Sequence, residues 1–258
     1  MKNILVCVKA VPVSASVEVD GQHRLKRDGA SLQWNIADES ALEAAFRLAD
    51  KDGSVTVLTM GPPKLEGPLT ELLARGASRA VLITDRLMAG ADTRATAKAL
   101  AAAVEKLGPF DAVFCGCKAI DGETGQVPGE LAAALKLPCV SNAEKVELSG
   151  DTLTAARRLE DGIQTLEITG PVVVSFSSYS YPLRLAGILG MRRARKIPVE
   201  VLSAADLGLS PDSCGLKGSL TKVVAMESRF PGLRRVPKET DPEAGVQRLC
   251  GILREVQP

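Results

Sequence analysis

The chain predicts an α/β protein, an open, mostly parallel twisted sheet with helices on both faces, and three observations carry that expectation. Short β-branched-rich runs alternate with helical patterns through the first half, in the order that βαβ units require. Runs such as Val55-Thr56-Val57-Leu58 are apolar throughout instead of alternating, which suits strands covered on both sides. From Asp111 to Leu137 an apolar run breaks on glycine, crosses a polar loop and enters a helical pattern. That is the strand, loop, helix order of an anion site in an open α/β sheet, where helix N-terminal amides face the ligand.

Taken in order, Ile4 to Val8 reads as the first strand, Glu39 to Leu48 as a helix, Val55 to Thr59 as a strand and Leu65 to Ala74 as a helix. Ala80 to Thr84, Thr93 to Leu107 and Ala112 to Cys115 continue as strand, helix and strand, and a helix is expected over Thr124 to Leu135. The first connection is unusual: between Val11 and Trp34 lies VEVDGQHRLKRDG, whose Asp20-Gly21 predicts a small hairpin standing off the sheet. After Leu137 come strand-like runs at Val140 to Leu148, Thr152 to Leu159, Gln164 to Ile168 and Val172 to Ser175. Turn signals at Ser149-Gly150-Asp151 and Asp161-Gly162 make them a set of added antiparallel strands, joined to the first sheet or packed beside it. An apolar, glycine-containing segment then meets a basic cluster, and a tail rich in Gly, Pro and Ser leads to a last helical pattern, Pro242 to Val256.

Composition narrows the function. With 32 basic and 31 acidic residues the formal net charge is +1, so no global field draws nucleic acid or an anionic membrane surface. No apolar run approaches the roughly 20 residues of a membrane span, and Met1-Lys2-Asn3 enters a strand-like run without a signal-peptide pattern. The expected location is the cytoplasm. The six cysteines form no C-x-x-C pair and mostly sit in apolar runs, which reads as small buried hydrophobes. A single histidine, His23, leaves zinc and Ser-His-Asp chemistry poorly supplied. No G-x-x-x-x-G-K-[ST] occurs and no G-x-G-x-x-G follows the first strand, against ATP hydrolysis and conventional NAD binding.

Within the loop, Thr124 is the expected N-cap, leaving the Gly125, Gln126 and Val127 amides to face a ligand. Gly122 and Gly125 allow close backbone approach. Asp121 and Glu123 would repel a phosphate, so they must point aside or meet sugar hydroxyls.

Four matches, in order and nearly end to end, make the chain resemble the electron transfer flavoprotein beta subunit. They are Val8-Lys9-Ala10-Val11-Pro12; Asn35 and Asp38 leading into Glu43-Ala44-Ala45; Gly116 to Gln126 with Ala119-Ile120-Asp121-Gly122; and Ala194-Arg195-Lys196 with Pro198. The resemblance implies an adenine-nucleotide-binding α/β domain over residues 1–202 and a C-terminal extension over 203–258 that contacts an alpha subunit. It implies that Cys7, Val8, Lys9, Asn35 and Asp38 line the adenosine pocket with Met60 and Gly61 beside it; read without the resemblance, Lys9 is a surface charge and Asp38 a helix cap, and for Asp38 both can hold. Gly116, Lys118, Ala119, Asp121, Gly122, Thr124, Gly125, Gln126 and Val127 would wrap ribose and phosphates. The beta site of such proteins holds AMP in simple members and FAD in electron-bifurcating ones, and the compact loop from Asp121 to Val127 favours FAD. Ile188 or Leu189, on the loop Leu185 to Arg193, falls where the family anchors an acyl-CoA dehydrogenase or another redox partner, with Arg192 and Arg193 among basic residues that would steer it. Two departures stand out: Ile36-Ala37 follows Asn35 where many members have proline, and Leu183-Arg184-Leu185 replaces the usual Pro-Arg-Tyr.

The expected function is therefore passage of electrons between a dehydrogenase and a downstream acceptor, with no side chain acting as acid, base or nucleophile. A stand-alone adenine-nucleotide sensor of the stress-protein type shares the sheet and the nucleotide position. An enzyme using Asp121 and Glu123 as an acid/base pair is the remaining alternative.

Overall fold

The computed structural model describes residues 3–13, 31–49, 53–224 and 240–256, so the Asp20-Gly21 turn and His23 lie outside the described residues. The strands are β1 (Asn3–Cys7), β2 (Ala10–Pro12), β3 (Leu32–Trp34), β4 (Ser54–Met60), β5 (Arg79–Ile83), β6 (Ala112–Gly116), β7 (Cys139–Ser149), β8 (Thr152–Leu159), β9 (Gly162–Thr169), β10 (Val172–Phe176) and β11 (Glu200–Leu202). The helices are α1 (Ile36–Leu48), α2 (Glu66–Arg75), α3 (Thr93–Leu107), α4 (Val127–Leu135), α5 (Ile188–Ala194), the single turn α6 (Gly215–Gly218) and α7 (Pro242–Val256).

A nine-stranded sheet runs in the order β11-β5-β4-β1-β6-β10-β7-β8-β9. Its pairs are parallel from β11 to β7, and β7-β8-β9 close it as an antiparallel meander continuous with the first sheet. Because successive side chains of a strand point to opposite faces, β1 feeds two apolar layers. Ile4, Val6 and Val8 meet α1 and α2, while Leu5 and Cys7 meet α3 and α4. Leu69, Leu72 and Leu73 of α2 are fully buried at helical spacing, each contributing about 1.5–3 kcal/mol. The predicted helices on both faces are thus present.

The chain lays β1, β4 and β5 side by side, then crosses back to place β6 on the other side of β1. Strand order reverses between β1 and β6, and the crevice outside the carboxyl ends of those strands is the position where open α/β sheets bind ligands. The paired ends of the first connection, β2 and β3, form a separate antiparallel ribbon.

Three local expectations change. The helix expected from Thr124 starts at Val127, because Glu123 (φ 50°) and Gly125 (φ 63°) are left-handed and Pro128 suits the first turn. The segment expected as a loop from Leu185 to Arg193 carries the short helix α5. The run Val172 to Ser175, expected among the added antiparallel strands, is β10, which inserts between β6 and β7 and pairs parallel with both, its five residues buried as suits a strand covered on two faces; a short edge strand, β11, which the sequence reading did not foresee, extends the sheet beyond β5. By compactness the chain divides into Met1–Val223 and Val224–Pro258. Residues 203–223 pack in the first unit, where Asp92 Oδ2 accepts the amides of Leu220 (2.8 Å) and Thr221 (3.0 Å). The second unit contains α7, whose start Asp241 marks by accepting the Glu243 amide at 3.0 Å.

Candidate functional site

The N-terminus of α1 organises the crevice. Its first residues follow β3 and lie against the ends of β1 and β6, so two polar side chains there are buried among backbone groups. Asp38 accepts the Lys9 amide on Oδ2 (2.7 Å) and the Gly116 amide on Oδ1 (2.9 Å). Asn35, 1% exposed, donates Nδ2 to the Lys118 carbonyl (2.9 Å) and accepts the Ile120 amide on Oδ1 (3.3 Å). These two residues join the loop after β1 to the loop after β6. Asp38 is therefore a clamp between strands and not the cap of α1, a place held by Asn35 with no side-chain capping bond. Burial pushes the Asp38 carboxyl up to about 7, against the lowering effect of its hydrogen bonds with Asn35, Lys9 and Gly116 and of the Lys9 charge.

Gly116 is required by this packing. A Cβ there would overlap Asp38 Oδ1 and lie 2.7 Å from Ala37 Cβ. Beyond it, the Ala119 carbonyl accepts the amides of Gly122 (3.4 Å) and Glu123 (2.8 Å), which folds the loop tightly. The carboxylates that sequence alone set against a phosphate are each paired with a lysine. Lys9 Nζ meets Asp121 Oδ1 at 2.6 Å across the crevice, and Lys118 Nζ meets Glu123 Oε1 at 3.2 Å. Thr124 is exposed and lies outside the helix, so it is no N-cap; Gln126 holds that position and makes no side-chain cap. The first amides of α4 are consequently open to an anion, although Pro128 contributes none.

The other expected residues divide. Cys7 and Val8 send their side chains into opposite cores, so only their backbone can border a ligand. Burial pushes the Cys7 and Cys115 thiols up, which keeps them neutral. Met60 ends β4, the neighbour of β1, and Gly61 follows it, its amide bonded to Ile83 O at 3.0 Å. Two features escaped the sequence reading. The Thr93 hydroxyl, at the start of α3, lies 3.1 Å from both Gln126 Oε1 and Glu130 Oε1, which brings a second helix N-terminus to the loop. Its signal was Asp92, the cap that accepts the Ala95 amide at 2.9 Å. A cavity of about 580 Å³ lies under the loop, bordered by Lys118, Gly125, Gly129, Ser141, Asn142 and Ser175, a size in the range of small-molecule sites.

Comparison with known proteins agrees with this geometry. A family model described as the electron transfer flavoprotein domain matches residues 24–207. The chain belongs to the electron transfer flavoprotein beta subunit family. It is 46% identical to an electron transfer flavoprotein subunit beta of Thermoanaerobacterium thermosaccharolyticum over 226 residues, covering 86% of each chain. It is 37% identical to the caffeyl-CoA reductase-Etf complex subunit CarD of Acetobacterium woodii, covering 85% of each. It is 39% identical to the acryloyl-CoA reductase electron transfer subunit gamma of Anaerotignum propionicum, covering 85% of this chain and 86% of the relative. Electron transfer is thus the function of the family, and the residues present suit a nucleotide: a glycine where α1 approaches, neutralised carboxylates and an uncapped helix start.

A second cluster lies along the segment after β10. Leu185, Ile188 and Leu189 are 86%, 74% and 79% exposed. The same segment is fastened at both ends. Glu43 of α1 takes Arg184 Nε at 2.9 Å and NH2 at 3.1 Å, and Arg193 NH2 donates to the carbonyls of Leu73 (3.0 Å) and Ala77 (3.3 Å). Arg193 is thus tied by one guanidinium nitrogen to the C-terminal end of α2 and the residues after it, and both Arg193 and Arg192 remain exposed.

Proposed function

We propose that the chain is the beta subunit of a heterodimeric electron transfer flavoprotein, holding an adenine nucleotide in the β1/β6 crevice and passing electrons between a dehydrogenase and a downstream acceptor. The observation that carries this reading is the pair of buried side chains, Asn35 and Asp38, that hold both crevice loops by their backbones. Backbone and glycine surfaces so placed leave room for phosphates at the α4 amides, with Lys9 and Lys118 supplying positive charge beside Asp121 and Glu123.

FAD is favoured over AMP, because the loop from Asp121 to Val127 has the compact form that resembles the electron-bifurcating members. When bound, FAD supplies the one- and two-electron chemistry that the side chains lack. The chain's own contribution is position: clamped loops, paired charges and a docking segment. The alpha subunit is the proposed partner of residues 203–258, and an acyl-CoA dehydrogenase or similar enzyme the partner of Ile188, Leu189, Arg192 and Arg193. That two relatives carry the names of CoA-ester reductase components supports such a partner. No helix among the described residues is long and apolar enough to cross a membrane.

Acid denaturation of the purified protein followed by mass spectrometry of the released small molecule tests the cofactor. FAD is expected; AMP without flavin would reverse the choice.

A further inference from the structure

The docking segment is held by α1, the same helix that clamps the nucleotide loops. Glu43, 4% exposed, uses both carboxylate oxygens on it: Oε2 accepts the Arg184 Nε (2.9 Å) and the Arg184 backbone amide (3.2 Å), and Oε1 accepts Arg184 NH2 (3.1 Å) and Arg47 Nε (2.9 Å). The Arg184 guanidinium also covers the Phe46 ring at 4.8 Å, and Arg75 NH1 bonds the Arg184 carbonyl at 2.8 Å. Burial alone would raise the Glu43 carboxyl, but the bonds from Arg184 and Arg47 outweigh it and hold it below the usual carboxylate range.

At the far end, Gly190 passes so close to α2 that a Cβ would overlap the Ala74 carbonyl, and Arg193 bonds Leu73 and Ala77. The exposed apolar tip, Leu185 to Leu189, spans these two anchors. Asp38 and Glu43 are five residues apart on α1, or about 7.5 Å of helix.

We infer that Glu43, through Arg184, is a positioning residue that fixes the docking tip relative to the nucleotide crevice, with α1 as the rigid member between them. The inference rests on the docking reading of Ile188 and Leu189 given above. Its physical reason is that a bidentate carboxylate–guanidinium pair fixes direction as well as distance, which a single contact does not. Lysine keeps the charge at position 184 but lacks the fork and the planar face over Phe46. Electron transfer between proteins depends on how the cofactor sits against its partner, so an unfixed tip would weaken capture of the partner without emptying the crevice.

The test compares the full-length chain with Glu43→Gln, Arg184→Lys and Leu189→Glu, by hydrogen exchange on each chain and by electron transfer from an acyl-CoA dehydrogenase that reduces the wild-type heterodimer. Both anchor variants are expected to speed exchange of amides 183–193 by about tenfold, leave amides 113–120 unchanged, keep bound nucleotide, and raise KM for the dehydrogenase at constant kcat. Arg184→Lys changes a half-exposed side chain, so it reports even where Glu43→Gln fails to fold. Unchanged exchange and KM in the anchor variants would overturn the inference, as would equal acceleration at 113–120. Leu189→Glu separates the two readings: raised KM with unchanged exchange supports docking, and unchanged KM removes docking while the exchange arm still judges the anchor.

Discussion

Asp38 is a carboxylate 6% exposed that accepts two backbone amides, those of Lys9 and Gly116. Its carboxyl is raised from 3.8 to about 7, with burial the largest cause. A raised value means that the folded state prefers the proton more than the unfolded state does. The stability from that preference is complete below the ordinary value and is lost as pH climbs through about 7. Relative to Asp38→Asn, the wild type is expected to lose on the order of 2–3 kcal/mol between about pH 5 and pH 8. Urea denaturation across that range checks it, and parallel curves for the two proteins would refute it. Gly116 carries the complementary demand for space. Gly116→Ala must displace Asp38 or Ala37, so a loss of about 1–3 kcal/mol in unfolding free energy is expected, together with weaker nucleotide retention.

Among the elements, the start of α4 shows how two left-handed residues set a site. Glu123 and Gly125 turn the chain so that the helix begins at Val127 with its first turn uncapped. Alanine at Gly125 meets only the Cys117 carbonyl at 3.5 Å, so the cost of Gly125→Ala is conformational, about 1–2 kcal/mol for a Cβ in that region. Fluorescence titration of the refolded apoprotein with FAD is expected to show weaker binding, and an unchanged affinity would mean that the loop does not hold the phosphates. Helix α5 presents Ile188 and Leu189 on a backbone that touches α2. Leu189→Glu is accordingly expected to slow electron transfer from a dehydrogenase while nucleotide content stays at the wild-type level.

For the whole molecule, charge is balanced overall but not locally. Arg192, Arg195 and Lys196 are exposed beside the apolar tip, so encounter with an acidic partner should be salt-dependent. The Debye length falls from about 10 Å at 0.1 M to about 3 Å at 1 M. KM for the dehydrogenase is expected to rise over that range, and a flat profile would indicate an encounter governed by apolar contact alone. The sheet order explains why a crevice opens where the nucleotide is proposed to bind: strand order reverses across β1, so the loops after β1 and β6 diverge and leave a gap that α1 closes from one side.

Much of this architecture is legible in the residues. The apolar runs marked the parallel strands, the turn signals marked the meander, and the Cys115 to Val127 segment marked the loop, because burial on two faces and turn chemistry impose patterns within a few residues of chain. Local pattern failed where a conformation depended on a neighbour or on a left-handed residue. Thr124 reads as a cap, yet the helix starts at Val127; Asp38 reads as a helix cap, yet it bridges the ends of strands far apart in sequence. Glu43 entered only as part of a family match, and nothing nearby in the chain announces Arg184 as its partner. Composition and periodicity are local quantities that can fix the class of fold and the place of its loop. The clamps, paired charges and anchors arise when distant segments bury polar groups against one another, so they exist only once the sheet has brought those segments together.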